Sequence, residues 1–178
     1  MTIRDWLEGL SYKLVQGSLD VEVNEVVYDS RKAAPGAVFV CMKGTKIDSH
    51  DFVGQVTDAG VKVLVTEHAV EAPADVTVVE TANGREALAL LSAARFGYPS
   101  RKLTMIGVTG TKGKTTTTHM IKTILETAGK KTGMIGTNGV YIGEEHFPTV
   151  NTTPESYDLH RYFAKMVEEG CACCVMEV

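Results

Sequence analysis

The stretch from Leu103 to Thr116 constrains this 178-residue chain most, because an apolar hexapeptide, LTMIGV, runs through Thr109 into the glycine-rich segment GTKGKTT. Six residues apolar in succession read as a strand covered on both faces, as in a parallel sheet. The residues from about Lys114 to Ala128 read as a helix with Met120, Ile121, Ile124 and Leu125 on one stripe, ended by Gly129. Strand, glycine loop and helix in that order make an anion cradle. Glycines let main-chain N–H groups converge on phosphate oxygens, and the helix start adds partial positive charge. Lys114 is expected to reach the β and γ phosphates of ATP, and the Thr115 hydroxyl to ligate the Mg²⁺ that bridges them. Gly110, Thr111, Lys112, Gly113 and Thr116 complete the expected ATP-binding set. The strict pattern G-x-x-x-x-G-K-[ST] is missed by one residue, since Val108 stands five before Gly113 and the glycine is Gly107.

The order beyond this loop is α/β. A strand over Lys131–Gly136 leads through the turn signal Asn138-Gly139 to Val140–Ile142. A helix from about Glu155 to Glu169 buries Leu159, Tyr162, Phe163, Met166 and Val167, with Gly170 as its stop. Thr152 or Thr153 is expected to cap that helix, with Pro154 at an early helical position. Cys171–Val178 reads as a last buried strand, which would bring Glu177 to the sheet edge where α/β proteins bind ligands. A carboxylate buried there without a cation is costly, so Glu177 is expected to take part in metal binding. The chain stops at Val178 inside an apolar run, and we expect it to be one part of a larger enzyme.

Before the glycine loop, strands are expected near residues 24–29, 37–41, 61–66 and 76–80, and helices near 3–10, 50–59 and 83–96. Asn83 suits an N-cap and Gly97 a stop, and residues 97–102 read as a linker between domains 1–98 and 99–178. A net charge of −4 argues against nucleic acid as a partner, and no apolar run approaches the length of a membrane span. Four clustered cysteines do not make a secreted disulfide framework, which points to the cytoplasm. Cys171 and Cys174 alternate along an apolar strand and read as buried thiols, and none of the five histidines shows ligand spacing.

The spelling of the loop, G-T-x-G-K-[ST] over Gly110–Thr115, resembles that of the Mur ligase family, ATP-dependent ligases that build the peptide of bacterial peptidoglycan. Tyr28-Asp29-Ser30-Arg31, with the strand Ala34–Val40 that follows, resembles the D-S-R motif of the family's uridine-binding N-terminal domain. The resemblance implies that Ser30 bonds the uridine group and that Tyr28 lines its site. The segment Gly44–Phe52 resembles the family's G-x-x-x-D-G-H-D-F loop, with Ser49 in place of the usual glycine, so Thr45, Lys46 and Ile47 would contact the nucleotide. Without the resemblance, that segment reads as a surface turn capped by Asp48 or Ser49. Asn151-Thr152-Thr153-Pro154 resembles the N-T-T-P motif of the tripeptide-forming branch, which implies contacts to the substrate's pyrophosphate and sugar from Asn151, Thr152 and Thr153. Val175–Val178 resembles the start of M-E-x-S-S, whose Glu takes part in Mg²⁺ binding.

The implied fold is α/β, a small N-terminal UDP-binding domain followed by the start of a P-loop parallel-sheet ATPase domain. The implied activity is amide formation in peptidoglycan precursor synthesis, adding an amino acid to UDP-N-acetylmuramoyl-L-alanyl-D-glutamate through an acyl phosphate. The third domain and the carbamylated lysine of the family are not in the sequence, so the chain alone is not expected to catalyse the ligation. Another P-loop phosphotransferase and a non-catalytic nucleotide-binding module are the rival readings.

Overall fold

A computed structural model of the chain describes residues 1–44, 47–149 and 152–178. The chain divides into two compact units, Met1–Arg95 and Phe96–Val178, each with its own five-stranded sheet.

In the first unit, β1 (Tyr12–Gln16), β2 (Glu25–Val27), β3 (Ala37–Val40), β4 (Val63–Thr66) and β5 (Thr77–Thr81) lie in the order β1-β5-β4-β3-β2. β2 to β5 are mutually parallel, and β1 joins β5 antiparallel. Every residue of β3 and β4 is buried, as continuous apolar strands sandwiched by helices should be. Helices α1 (Ile3–Trp6), α2 (Val53–Asp58) and α3 (Gly84–Arg95) complete the unit. Asn83 caps α3, its Oδ1 accepting from the N–H groups of Arg85 (3.0 Å) and Glu86 (3.2 Å). Ala87, Leu88 and Leu91 are fully buried along the face of α3 that meets the sheet. Two expectations change here. The helix expected over 3–10 ends at Trp6, before a turn at Gly9 with φ +84°. β1 was not foreseen, because four of its five residues are exposed and an edge strand of that kind carries no apolar alternation.

The second unit contains β6 (Thr104–Val108), α4 (Lys114–Thr127), β7 (Thr132–Gly136), β8 (Gly139–Ile142), β9 (Glu145–Phe147), α5 (Ser156–Glu168) and β10 (Cys173–Glu177). The sheet order is β6-β10-β7-β8-β9. β10 runs parallel between β6 and β7, while β8 and β9 form an antiparallel meander, so the sheet is mixed. α5 packs Phe163 and Met166 on this sheet, with Leu159, Tyr162 and Val167 partly buried around them. Gly133 of β7 lies directly under the Met166 thioether, where a side chain would collide with it.

Two expectations are corrected in this unit. β6 is not covered on both faces; among the described residues it is an edge strand, and Thr104, Met105 and Gly107 are exposed. For the same reason the apolar stripe of α4 is only half used. Ile121 and Leu125 are partly buried, but Met120 is 60% and Ile124 66% exposed. Residues 97–102, read as the linker, follow directly on the division between the units: Tyr98 takes a left-handed φ of 53°, and Pro99–Lys102 form one 3₁₀ turn packed on α5. The Arg101 guanidinium lies 4.2 Å over the Tyr98 ring. Cys41, Cys171, Cys173 and Cys174 are buried free thiols, and burial pushes Cys174 up to about 12.

Candidate functional site

In the second unit, β6 ends at Val108 and α4 begins at Lys114, so Thr109–Gly113 must reverse the chain within five residues. Gly113 makes that possible with φ +80°, a conformation that penalises any Cβ. The main-chain ladder of α4 starts with the Thr117 N–H on the Gly113 carbonyl at 2.9 Å. The amides of Lys114, Thr115 and Thr116 precede that ladder and are the ones a helix start offers to an anion. The Lys114 ammonium folds back across the loop and donates to the Gly110 carbonyl at 2.8 Å.

β10 lies beside β6 in parallel register, pairing Glu177 with Val108. The loop and the end of β10 therefore border one pocket of about 360 Å³. Thr111, Lys112, Gly113, Lys114 and Thr115 line one side, and Thr137, Thr152, Thr153, Glu177 and Val178 the other. Glu177 is only 2% exposed, yet its charge is not bare. Its Oε1 accepts from the Thr137 N–H at 3.0 Å and its Oε2 from the Thr137 hydroxyl at 3.2 Å. Thr137 and Thr152 bring their hydroxyl oxygens to 3.2 Å, and the Thr153 hydroxyl donates to the Glu177 carbonyl at 3.3 Å.

Thr152 and Thr153 thus do not cap α5. The helix starts at Ser156 with Glu155 as its N-cap, whose side chain accepts from the Ser156 N–H at 3.3 Å, and Pro154 precedes the helix. Thr116 is not among the pocket residues and borders a shallow depression with His119, Met120, Thr123 and Ile124. Thr137 was missed, although its place at the C-terminal end of β7, the strand next to β10, gave a signal.

A second pocket, of about 600 Å³, lies wholly in the first unit between the turn after β2 and the turn before α2. Tyr28, Asp29, Ser30 and Arg31 line it on one side, with Ile47, Ser49, Phe52 and Gln55 opposite. Asp29 caps the turn Ser30–Lys32 by accepting from the Arg31 N–H at 3.1 Å. The Arg31 guanidinium also grips both its oxygens, at 2.8 Å and 2.6 Å. That hydrogen-bonded cation holds the Asp29 carboxyl down at about 2. The folded value lies below the unfolded one, so the pair's contribution is complete above roughly pH 4 and is lost as pH falls through about 2. An NMR titration of the Asp29 side-chain carboxyl should give a midpoint near 2, and Arg31→Ala should move it up toward that of an ordinary aspartate.

The far wall of this pocket is anchored by side chains. The Ser49 hydroxyl accepts from the Met42 N–H at 2.6 Å and donates to the Met42 carbonyl at 2.9 Å, the task of the residue standing in the usual glycine position. Asp48 caps the turn Ser49–Phe52 through the His50 N–H at 3.0 Å and also meets the His50 ring at Nδ1. The buried His50 accepts the Glu67 N–H on Nε2 at 2.9 Å, and its ring stacks on His68 at 3.9 Å. Asp48 and His50 are thus joined by the more distant His68 in one group of metal-ligating atoms. His50 is nonetheless committed as an anchor: with Nε2 accepting, its neutral ring carries the proton on Nδ1 and donates it to Asp48. Ile47 borders the pocket, whereas Thr45, Lys46 and Asn151 lie outside the described residues.

A glycine turn between a parallel strand and a helix that opens on Lys-Thr, with an acidic residue on the adjoining strand, places the second unit among the P-loop nucleotide-binding folds. Comparison with known proteins narrows this class. The chain belongs to the Mur ligase family: the family's catalytic domain matches residues 22–96, and the Mur ligase middle domain matches residues 108–178. The chain is 45% identical over its full length to a UDP-N-acetylmuramoyl-L-alanyl-D-glutamate–2,6-diaminopimelate ligase of Clostridium perfringens, of which it spans 37%. It is 46% identical to the enzyme of the same name from Geobacillus thermodenitrificans over 91% of this chain and 32% of that one. A solved structure of a ligase with that name shares the fold at a TM-score of 0.79 and 19% identity, covering all of this chain and 36% of that one. The chain thus spans about a third of the length of the curated relatives it matches.

Proposed function

We propose that this chain forms the nucleotide-sugar-binding unit and the phosphate-binding part of an ATP-dependent, amide-forming ligase of peptidoglycan precursor synthesis. The proposed substrates are ATP, UDP-N-acetylmuramoyl-L-alanyl-D-glutamate and 2,6-diaminopimelate, the amino acid in the names of the relatives. One observation carries this reading: a single pocket gathers Lys114 and Thr115 opposite Glu177, Thr152 and Thr153. Residues 1–98 would hold the UDP moiety, with Tyr28, Ser30 and Ile47 bordering the first unit's pocket, and residues 99–178 would hold the triphosphate.

In the reaction, a substrate carboxylate takes the γ-phosphoryl group of ATP to give an acyl phosphate and ADP. The amino group of the incoming amino acid then attacks the carbonyl carbon and expels phosphate. The amides at the start of α4 and the Lys114 ammonium would neutralise and align the phosphoryl oxygens, so catalysis here is chiefly positioning and charge stabilisation. The Thr115 hydroxyl and the Glu177 carboxylate suit a hard, oxygen-seeking cation and would hold Mg²⁺, which would offset phosphate charge when bound. The proposed location is the cytoplasm, in keeping with four buried free thiols. No helix among the described residues is long and apolar enough to cross a membrane.

Calorimetric titration of the chain tests the first half of the reading. UDP-N-acetylmuramoyl-L-alanyl-D-glutamate should bind saturably, with UDP competing and GDP failing to compete. Absence of competition by UDP would sink the assignment of the first unit. Amide formation by these 178 residues alone is not expected.

A further inference from the structure

Glu177 is 2% exposed, and a carboxylate withdrawn from water needs its lone pairs met. Thr137 serves both oxygens, its N–H at 3.0 Å from Oε1 and its hydroxyl at 3.2 Å from Oε2. The residue before it completes the seat. A Cβ on Gly136 would stand 2.9 Å from the Glu177 carboxyl carbon, so the turn between β7 and β8 leaves the space and then supplies both donors. The Thr137 hydroxyl has one proton, and with that proton on Glu177 it can only accept from the Thr152 hydroxyl, 3.2 Å away. The bonds therefore run in one direction, from Thr152 to Thr137 to Glu177.

We propose that Thr137 is a positioning residue. It fixes the rotation of the Glu177 carboxylate toward the cation side of the phosphate pocket and links that carboxylate to the Thr152–Thr153 segment. The inference rests on the reading of Glu177 as a metal-binding carboxylate and extends it to the residue that holds that carboxylate in place. A carboxylate free to rotate can still meet a cation, but in fewer of its orientations, so loss of the clamp should weaken the cation's help to nucleotide binding and leave cation-free binding alone.

The test is the ratio of dissociation constants for a fluorescent ATP analogue measured in EDTA and in Mg²⁺. Thr137→Val should lower this ratio about tenfold with the EDTA value unchanged, as expected for a lost hydrogen bond to a charged group. Thr137→Ser should restore it, and Thr152→Val, at the far end of the chain of bonds, should lower it about twofold. The unchanged value in EDTA shows that the loop is intact, and if Thr137→Val does not fold, Thr152→Val and Gly136→Ala carry the test. A wild-type ratio in Thr137→Val, or an equal loss of affinity in both buffers, overturns the positioning role. Glu177→Gln separates the two ideas. If it keeps the wild-type ratio, the metal reading of Glu177 fails and the role of Thr137 falls with it; if it loses the ratio while Thr137→Val does not, only the positioning role fails.

Discussion

Lys114→Ala is expected to lower ATP-dependent phosphate release by the complete ligase about a thousandfold, equivalent to roughly 4 kcal/mol of transition-state stabilisation. Lys114 is the first residue of α4, and its ammonium lies across the mouth of the loop on the Gly110 carbonyl, 2.8 Å away. A triphosphate in the pocket of about 360 Å³ would present its most charged end to that group. UDP binding should be untouched, because the pocket assigned to it lies wholly in the first unit. The assay is phosphate release with UDP-N-acetylmuramoyl-L-alanyl-D-glutamate and diaminopimelate, and turnover equal to wild type would refute the role given to Lys114.

The largest effect on stability should come from Met166→Ala, about 2–5 kcal/mol, because Met166 is fully buried where α5 crosses β7. Gly133→Ala should also destabilise, since its methyl group would collide with the Met166 side chain, and overpacking of this kind costs about 1–3 kcal/mol. The two substitutions occupy the same space. The double variant, with a methyl group on β7 filling part of the hole left on α5, should therefore be more stable than the sum of the single losses implies. Urea unfolding of all four proteins measures this, and strict additivity would show that Gly133 and Met166 do not share a packing site.

Much of the fold was legible because local chemistry and tertiary placement agree. The glycine turn is spelled by Gly110 and Gly113, α3 by Asn83 and its buried stripe, and the final strand by the apolar run that brings Glu177 beside Val108. The misreadings have physical causes. A strand such as Tyr12–Gln16 gains its hydrogen bonds from β5 while leaving its side chains in water, so no pattern marks it. Burial of β6 and of the α4 stripe is read from the apolar pattern, but a pattern does not say whether a neighbour is there, and Met105, Met120 and Ile124 face outward. Thr152 and Thr153 satisfy the rules for a helix cap yet spend their hydroxyls on Thr137 and Glu177. Thr137 escaped notice because its partner Glu177 is distant in sequence, and the pairing of His50 with the Glu67 amide and the His68 ring is likewise made only by the fold.

The serine at position 49 has one further implication. A glycine there would leave the Met42 amide and carbonyl without that partner, whereas the Ser49 hydroxyl meets both in the folded chain. The neighbouring Ile47 and Phe52 therefore present their side of the cleft to an incoming guest already immobilised in part, and less freedom remains to be surrendered on capture. Exchange of serine for glycine should consequently be felt chiefly as a less favourable entropy of association.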